Sequence, residues 1–138
     1  MNHITISATL TELDVVLDFI TERAAQAGMG AKPIAECALA AEEIFVNIAN
    51  YAYTPENGDV TVGIETGVGC LSIEIADRGR PFNPLSKKDP DITLDASERT
   101  PGGLGIFMVK QLMDEVAYEY RDGQNILKMR KKMMQNSR

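Results

Sequence analysis

Stretches with the two-residue period of strands are pooled in pairs along this chain rather than alternating one by one with helical stretches. That order constrains the fold more than any other feature. Ile4 and Ile6 alternate with polar neighbours between His3 and Ala8, as on a half-buried edge strand. Leu13, Val16, Leu17, Ile20, Ala24 and Ala27 then recur at helical spacing up to Gly28, with Thr11 and Asp14 spaced as a capping box. Pro33 suits the first residue of a second helix, IAECALAAEEIFVNIANYAY, which runs to the turn signal Thr54 to Gly58. Val60, Val62 and Ile64, a glycine-bearing turn near Gly67 to Gly69, and Leu71, Ile73 and Ile75 make a hairpin. A third helix through Ile106, Val109, Leu112 and Met113 is followed by Val116, Tyr118 and Tyr120. An Asp122-Gly123 turn then leads into Leu127 and Met129 on a last strand. A strand, two helices, a hairpin, a loop, a helix and a second hairpin predict an α+β, two-layer sandwich.

The loop is the exception to this regularity. From Arg80 to Gly103 periodicity is lost and Pro81, Pro84, Pro90 and Pro101 accumulate among charged residues. Structureless loops beyond about 12 to 15 residues in a compact domain are uncommon and are usually functional lids or inserts. With 138 residues, 44% hydrophobic and 25% charged, the chain has the size and balance of one globular domain spanning 1–138. No apolar stretch approaches the roughly 18 residues of a membrane span, and the N-terminus has no signal-like pattern, so the expectation is a cytoplasmic protein without a membrane partner.

Composition excludes several chemistries. Fourteen basic against 20 acidic residues leave a net charge of -6, which gains nothing from phosphate neutralisation, so nucleic acid is not an expected partner. The basic run Lys128 to Met133 reads as a solvated, frayed end. His3 is the only histidine and lies at an end expected to be loose. Cys37 and Cys70 lack CxxC spacing, so neither a structural zinc site nor a histidine-based hydrolase is expected, and both cysteines should pack as small apolar residues.

Three groups of residues carry potential chemistry. Glu43, Asn47 and Asn50 share one face of the second helix at i, i+4 and i+7, and Glu36 extends the stripe toward the N-terminus. Because the rest of that helix is strongly apolar, the stripe faces either water or a ligand. Asp77 ends a strand and is followed by Gly79, where a missing side chain permits close approach of a planar group. Gly102 to Gly105 lead into the third helix, offering backbone amides and a helix N-terminus to an anion. Taken singly, these are also the solvent face of a core helix, a strand ending in a turn and a structural glycine cluster.

In their order and spacing, EEIFVNIANYAY, DRGRPFNP and GGLGIFMVKQLMDEV resemble the N box and two glycine boxes of the GHKL ATPases, most closely the anti-sigma-factor serine/threonine kinases. The resemblance implies a histidine-kinase-like ATPase domain of Bergerat type: a mixed, mainly antiparallel sheet with helices on one face and an ATP lid over about 80–103. It implies ATP and Mg²⁺ as cofactors, with Asn47 as metal ligand and Glu43 as the base that takes a proton from the attacking hydroxyl. Asp77 and Gly79 would receive adenine, and Asn50, Gly103, Leu104 and Gly105 would lie along the rest of the nucleotide.

The implied reaction is phosphoryl transfer to a serine or threonine of a small anti-sigma-factor antagonist, with a sigma factor or other regulator as the sequestered partner and a homodimer as the family's common assembly. Tyr51 stands where that branch often has histidine, and Lys87, Lys88 and Arg99 all qualify to touch the γ-phosphate. The alternative function is a nucleotide-gated regulatory binding module without kinase activity. A histidine-kinase catalytic domain is a further rival, disfavoured by the start at Met1 and the lack of a phosphoacceptor histidine on an apolar helix.

Overall fold

The computed structural model describes residues 1–51, 58–86 and 103–133. Strand β1 (Asn2–Ser7) leads through a single 3-10 turn at Leu10–Glu12 into α1 (Leu13–Gln26) and then α2 (Ala31–Tyr51). The hairpin β2 (Asp59–Gly67) and β3 (Cys70–Asp77) follows, then a 3-10 turn at Pro84–Ser86, α3 (Gly103–Leu112), and a second hairpin, β4 (Glu115–Arg121) and β5 (Gln124–Lys132). The strands form one sheet in the order β1-β2-β3-β5-β4, and every pairing is antiparallel. The mainly antiparallel sandwich is therefore observed, with no parallel pair among the described residues.

The register explains the layers. Val62 lies between Ile4 and Ile75, Ile75 faces Leu127, and Leu127 faces Tyr118, so one row of apolar side chains crosses the whole sheet. Onto this face pack the helices, with α2 lying between α1 and α3 and reaching both β3 and β5. Small residues of α2, Cys37, Ala40 and Ala41, are fully buried and let the helix approach closely, while Phe45 and Ile44 fill the space beyond them. Burying side chains of the Phe or Ile class contributes about 1.5–3 kcal/mol each. The opposite face carries Thr61, Glu74, Lys128 and Glu119, where Lys128 pairs with Glu74 at 3.9 Å and Glu119 at 3.7 Å. Among the described residues no helix is long and apolar enough to cross a membrane.

Local details depart from the sequence expectations at four places. The capping box does not form, because α1 begins at Leu13 without a side-chain cap and the Thr11 hydroxyl bonds Thr9 instead, at 3.0 Å. The second helix opens at Ala31, so Pro33 sits inside its first turn and Ile34 N–H already donates to the Gly30 carbonyl at 3.0 Å. His3 is paired with Gly63 on an ordered edge strand. The basic run from Lys128 is not a frayed end: through Lys132 it is β5, with Met129 in the core and Lys131 only 8% exposed. Its charges mask a strand because every second residue points to water.

The closing hairpin follows its sequence signal. Asp122 and Gly123 both take positive φ, 55° and 77°, as a two-residue turn matched to strand twist requires. The turn expected at Thr54 to Asn57 and most of the lid, including Lys87, Lys88, Pro90, Arg99 and Pro101, lie outside the described residues.

Candidate nucleotide site

Chain connectivity gathers the three motifs at one end of the sheet. Helix α2 finishes at Tyr51, close in sequence to the start of β2. Val60 at that start is paired with Asp77 at the end of β3, and Asp77 is paired in turn with Asn125 at the start of β5. Asp77 is thus held from both sides by backbone ladders, on the face covered by helices.

Asp77 is 5% exposed, and its Oδ1 accepts from Gly79 N–H at 2.8 Å and Asn125 Nδ2 at 3.0 Å. Burial raises its carboxyl above the usual aspartate range, while the bonds from Asn125 and Gly79 pull the other way. Both bonds fall on Oδ1, so the carboxylate is oriented without being saturated.

Asn125, 7% exposed, was not singled out by the sequence. Its Nδ2 also donates to the Arg80 carbonyl at 2.9 Å, and its Oδ1 accepts from Phe82 N–H at 3.0 Å and from the Tyr118 hydroxyl. One amide thereby ties the end of β3, the first residues of the lid segment and β4 together. The available sequence signal was an asparagine two residues after the Asp-Gly turn, on the inward phase of β5; only the strand register shows that this phase faces Asp77.

At the helix layer, Glu43 and Asn47 are half-buried and Asn50 is exposed, as expected for a stripe turned from the core. The Glu43 carboxylate lies against the first turn of α3, in the space a side chain at Gly105 would fill: a Cβ there would overlap the carboxylate and stand 3.0 Å from Glu43 Cγ. Gly105 therefore lets the Glu43 carboxylate lie against α3, and a side chain there would push that carboxylate aside. Gly103 and Leu104 form the opening of the same helix. Glu36 does not belong to this group, since its carboxylate pairs with Lys131 Nζ at 2.9 Å. The two cysteines also differ. Cys37 is buried, and desolvation pushes its thiol up to about 11, whereas half-buried Cys70 accepts a bond from Arg130 at 3.1 Å.

The donor set suits a magnesium ion carried by a nucleotide. Asn47 offers one hard oxygen donor, one helical turn from Glu43, and among the described residues no three His, Cys, Asp or Glu side chains gather into a cage of their own. Magnesium is usually held by one or two protein oxygens plus substrate phosphates and water.

The structure thus supplies a buried, oriented carboxylate at a strand end, a polar helix stripe, and a glycine-opened helix that meets the stripe at Glu43. The chain belongs to the histidine kinase-like ATPase domain family, whose sequence pattern matches residues 6–131, and membership implies ATP binding. It is 28% identical over 109 residues to serine-protein kinase RsbW of Listeria monocytogenes, covering 75% of this chain and 69% of that protein. It is 29% identical over 90 residues to serine/threonine-protein kinase BtrW of Bordetella bronchiseptica, covering 64% of this chain and 63% of that one. The crystal structure of the RsbU and RsbW domains of a Mycobacterium tuberculosis protein superposes with a TM-score of 0.64 at 17% identity, covering 96% of this chain and 33% of that chain. That likeness speaks for the fold.

Proposed function

We propose that this protein is an ATP-dependent serine/threonine kinase of the anti-sigma-factor type, which phosphorylates a small antagonist protein and sequesters a sigma factor or comparable regulator. The observation that carries the reading is the meeting of Glu43 with the glycine-opened start of α3, one helical turn from Asn47. A pure nucleotide binder has no use for a carboxylate at the place where terminal phosphate would lie. Similarity to named serine and serine/threonine kinases supports the same direction.

In this reading Asp77 accepts the adenine amino group through the oxygen left open by Asn125 and Gly79, and Gly79 leaves room for the ring. The amides at Gly103, Leu104 and Gly105 face the phosphates at the positive end of the helix. Asn47 would hold Mg²⁺, which when bound supplies charge neutralisation on the phosphates, and Asn50 lines the rim. Glu43 takes the proton of the acceptor hydroxyl. Such transfer depends mainly on positioning and electrostatics, which suits a site built from rigid helices and a strand end.

The decisive experiment incubates the purified protein with labelled ATP, Mg²⁺ and the small antagonist-like protein encoded beside it. Labelled serine or threonine on that partner is the expected result. ATP binding without transfer to any candidate partner would favour the nucleotide-gated binding module instead.

A further inference from the structure

Lys131 stands where an apolar residue would be cheaper. Leu127, Met129 and Lys131 share the inward phase of β5, and Lys131 is 8% exposed. Burying an ammonium costs several kcal/mol of effective desolvation, offset only by well-placed partners. It has two: the Glu36 carboxylate on α2 at 2.9 Å and the carbonyl of Leu112, the last residue of α3. A cation at that position also complements the negative end of a helix.

Helix α3 consequently meets α2 at two polar points. Its first turn touches Glu43 through Gly105, and its last residue reaches Glu36 through Lys131. Glu36 and Glu43 are two turns apart on nearly one line of α2, roughly 10 Å along its axis. The two points thus set the helices antiparallel and fix both the height and the tilt of α3. Between them lie Ile106 and Val109, both buried. Apolar packing is non-directional and holds a short helix down without setting its axial position.

We infer that Lys131, joined to Glu36 and the Leu112 carbonyl, is a positioning residue that holds the glycine end of α3 at the height where it meets Glu43 and the triphosphate. The inference rests on the nucleotide reading above and adds a β5 residue that acts at the end of α3 remote from the phosphates. It separates the two halves of the ligand: misplacing α3 weakens the grip on phosphate, while Asp77, anchored in the sheet, keeps its hold on adenosine.

The test uses the full chain with Cys70→Ser, so that Cys37 is its only thiol, and compares it with the same chain carrying Glu36→Gln and Lys131→Met together. Removing both charges leaves neither unpaired, and such replacement is often tolerated. Calorimetry for Mg-ATP and ligand-observed NMR for adenosine give the two affinities. The expected result is a loss of about tenfold for Mg-ATP, within the usual range of coupling between sites, with adenosine unchanged within twofold. Equal losses for both ligands, or no loss for either, overturn the positioning role.

A second readout needs no nucleotide. Cys37 is fully buried, and of the two charges removed Lys131 has the larger influence on it, holding the thiol down. Electrostatics alone would therefore slow its reaction with a thiol reagent in the variant. Accelerated labelling reports looser α3 docking and supports the proposal, while an unchanged or slower rate overturns it. If the parent binds neither ligand, the nucleotide reading fails and the labelling rate alone decides whether Lys131 holds α3.

Discussion

The sheet end and the helix layer of the candidate site are built by different means. At the sheet end Asp77 sits between two hydrogen-bonded strands, and a single buried amide, Asn125, fixes its orientation and that of the following backbone. At the helix layer Glu43, Asn47 and Asn50 project from one face of α2, and the absence of a side chain at Gly105 lets Glu43 lie against the start of α3. A preorganised hydrogen-bond network suits recognition of a fixed shape such as a purine. A polar stripe that meets the first turn of a helix suits a flexible, charged group. The difference teaches that affinity for the base and chemistry on the phosphate should respond to separate mutations.

The largest expected effect breaks the helix layer alone. Glu43→Gln preserves size and loses basicity, so partner phosphorylation should fall by roughly 10² or more with ATP affinity nearly unchanged, in a single-turnover transfer assay at matched nucleotide occupancy. Equal rates would remove Glu43 from the mechanism.

Asp77→Asn addresses the other half. Losing a charge-assisted acceptor should cost roughly 1.5–3 kcal/mol of adenine recognition, seen as weaker ATP binding, and in the parent GTP should compete poorly. Stability should move the opposite way. Because the folded carboxyl is raised above the ordinary 3.8, the native state holds its proton longer than the unfolded chain does, and Asp77's contribution is lost as pH rises from about 3.8 through the raised value. The melting temperature of the ligand-free asparagine variant, minus that of the parent, should therefore increase over this interval. A difference that stays flat with pH argues against a desolvated Asp77 carboxyl.

Gly105→Ala sharpens the comparison because it acts by shape. The methyl displaces the flexible end of Glu43, which can swing aside, while alanine gains about 1 kcal/mol of helix propensity over glycine. Phosphoryl transfer should drop about tenfold with no loss of melting temperature. A variant with full transfer would show that Glu43 does not act from this position.

The smallest change is Tyr118→Phe, which removes one hydroxyl from Asn125. About 0.5–1.5 kcal/mol of stability should be lost, read from denaturant unfolding, with transfer at saturating ATP unaffected. A large fall in transfer would mean that the two halves of the site are not separable.

Period and spacing carried much of this architecture. The apolar alternation in β2, β3 and β4 and the 3.6-residue period of α1 and α2 are local properties, and the Asp122-Gly123 dipeptide set its own turn. Glu43, Asn47 and Asn50 were legible as one stripe because a helix spaces its own side chains. Asn125 and Lys131 were not legible, since their partners lie 48 and 95 positions away at Asp77 and Glu36 and depend on strand register and helix docking. For the same reason Glu36 looked like part of the stripe: helical phase puts it in line with Glu43, but which neighbour covers each turn of that line is a matter of packing.

By itself the sequence determined most of the helices and strands and which side chains each presents on one face, because backbone geometry repeats every two or 3.6 residues; the charged end of β5 was the exception. The tertiary structure alone decided which of those faces meet: that β5 lies beside β3 and brings Asn125 to Asp77, and that α3 comes close enough to α2 for the Glu43 carboxylate to occupy the space beside Gly105. The physical reason is that periodicity is a short-range property of the chain, whereas contact between distant segments is settled by burial of the whole core at once.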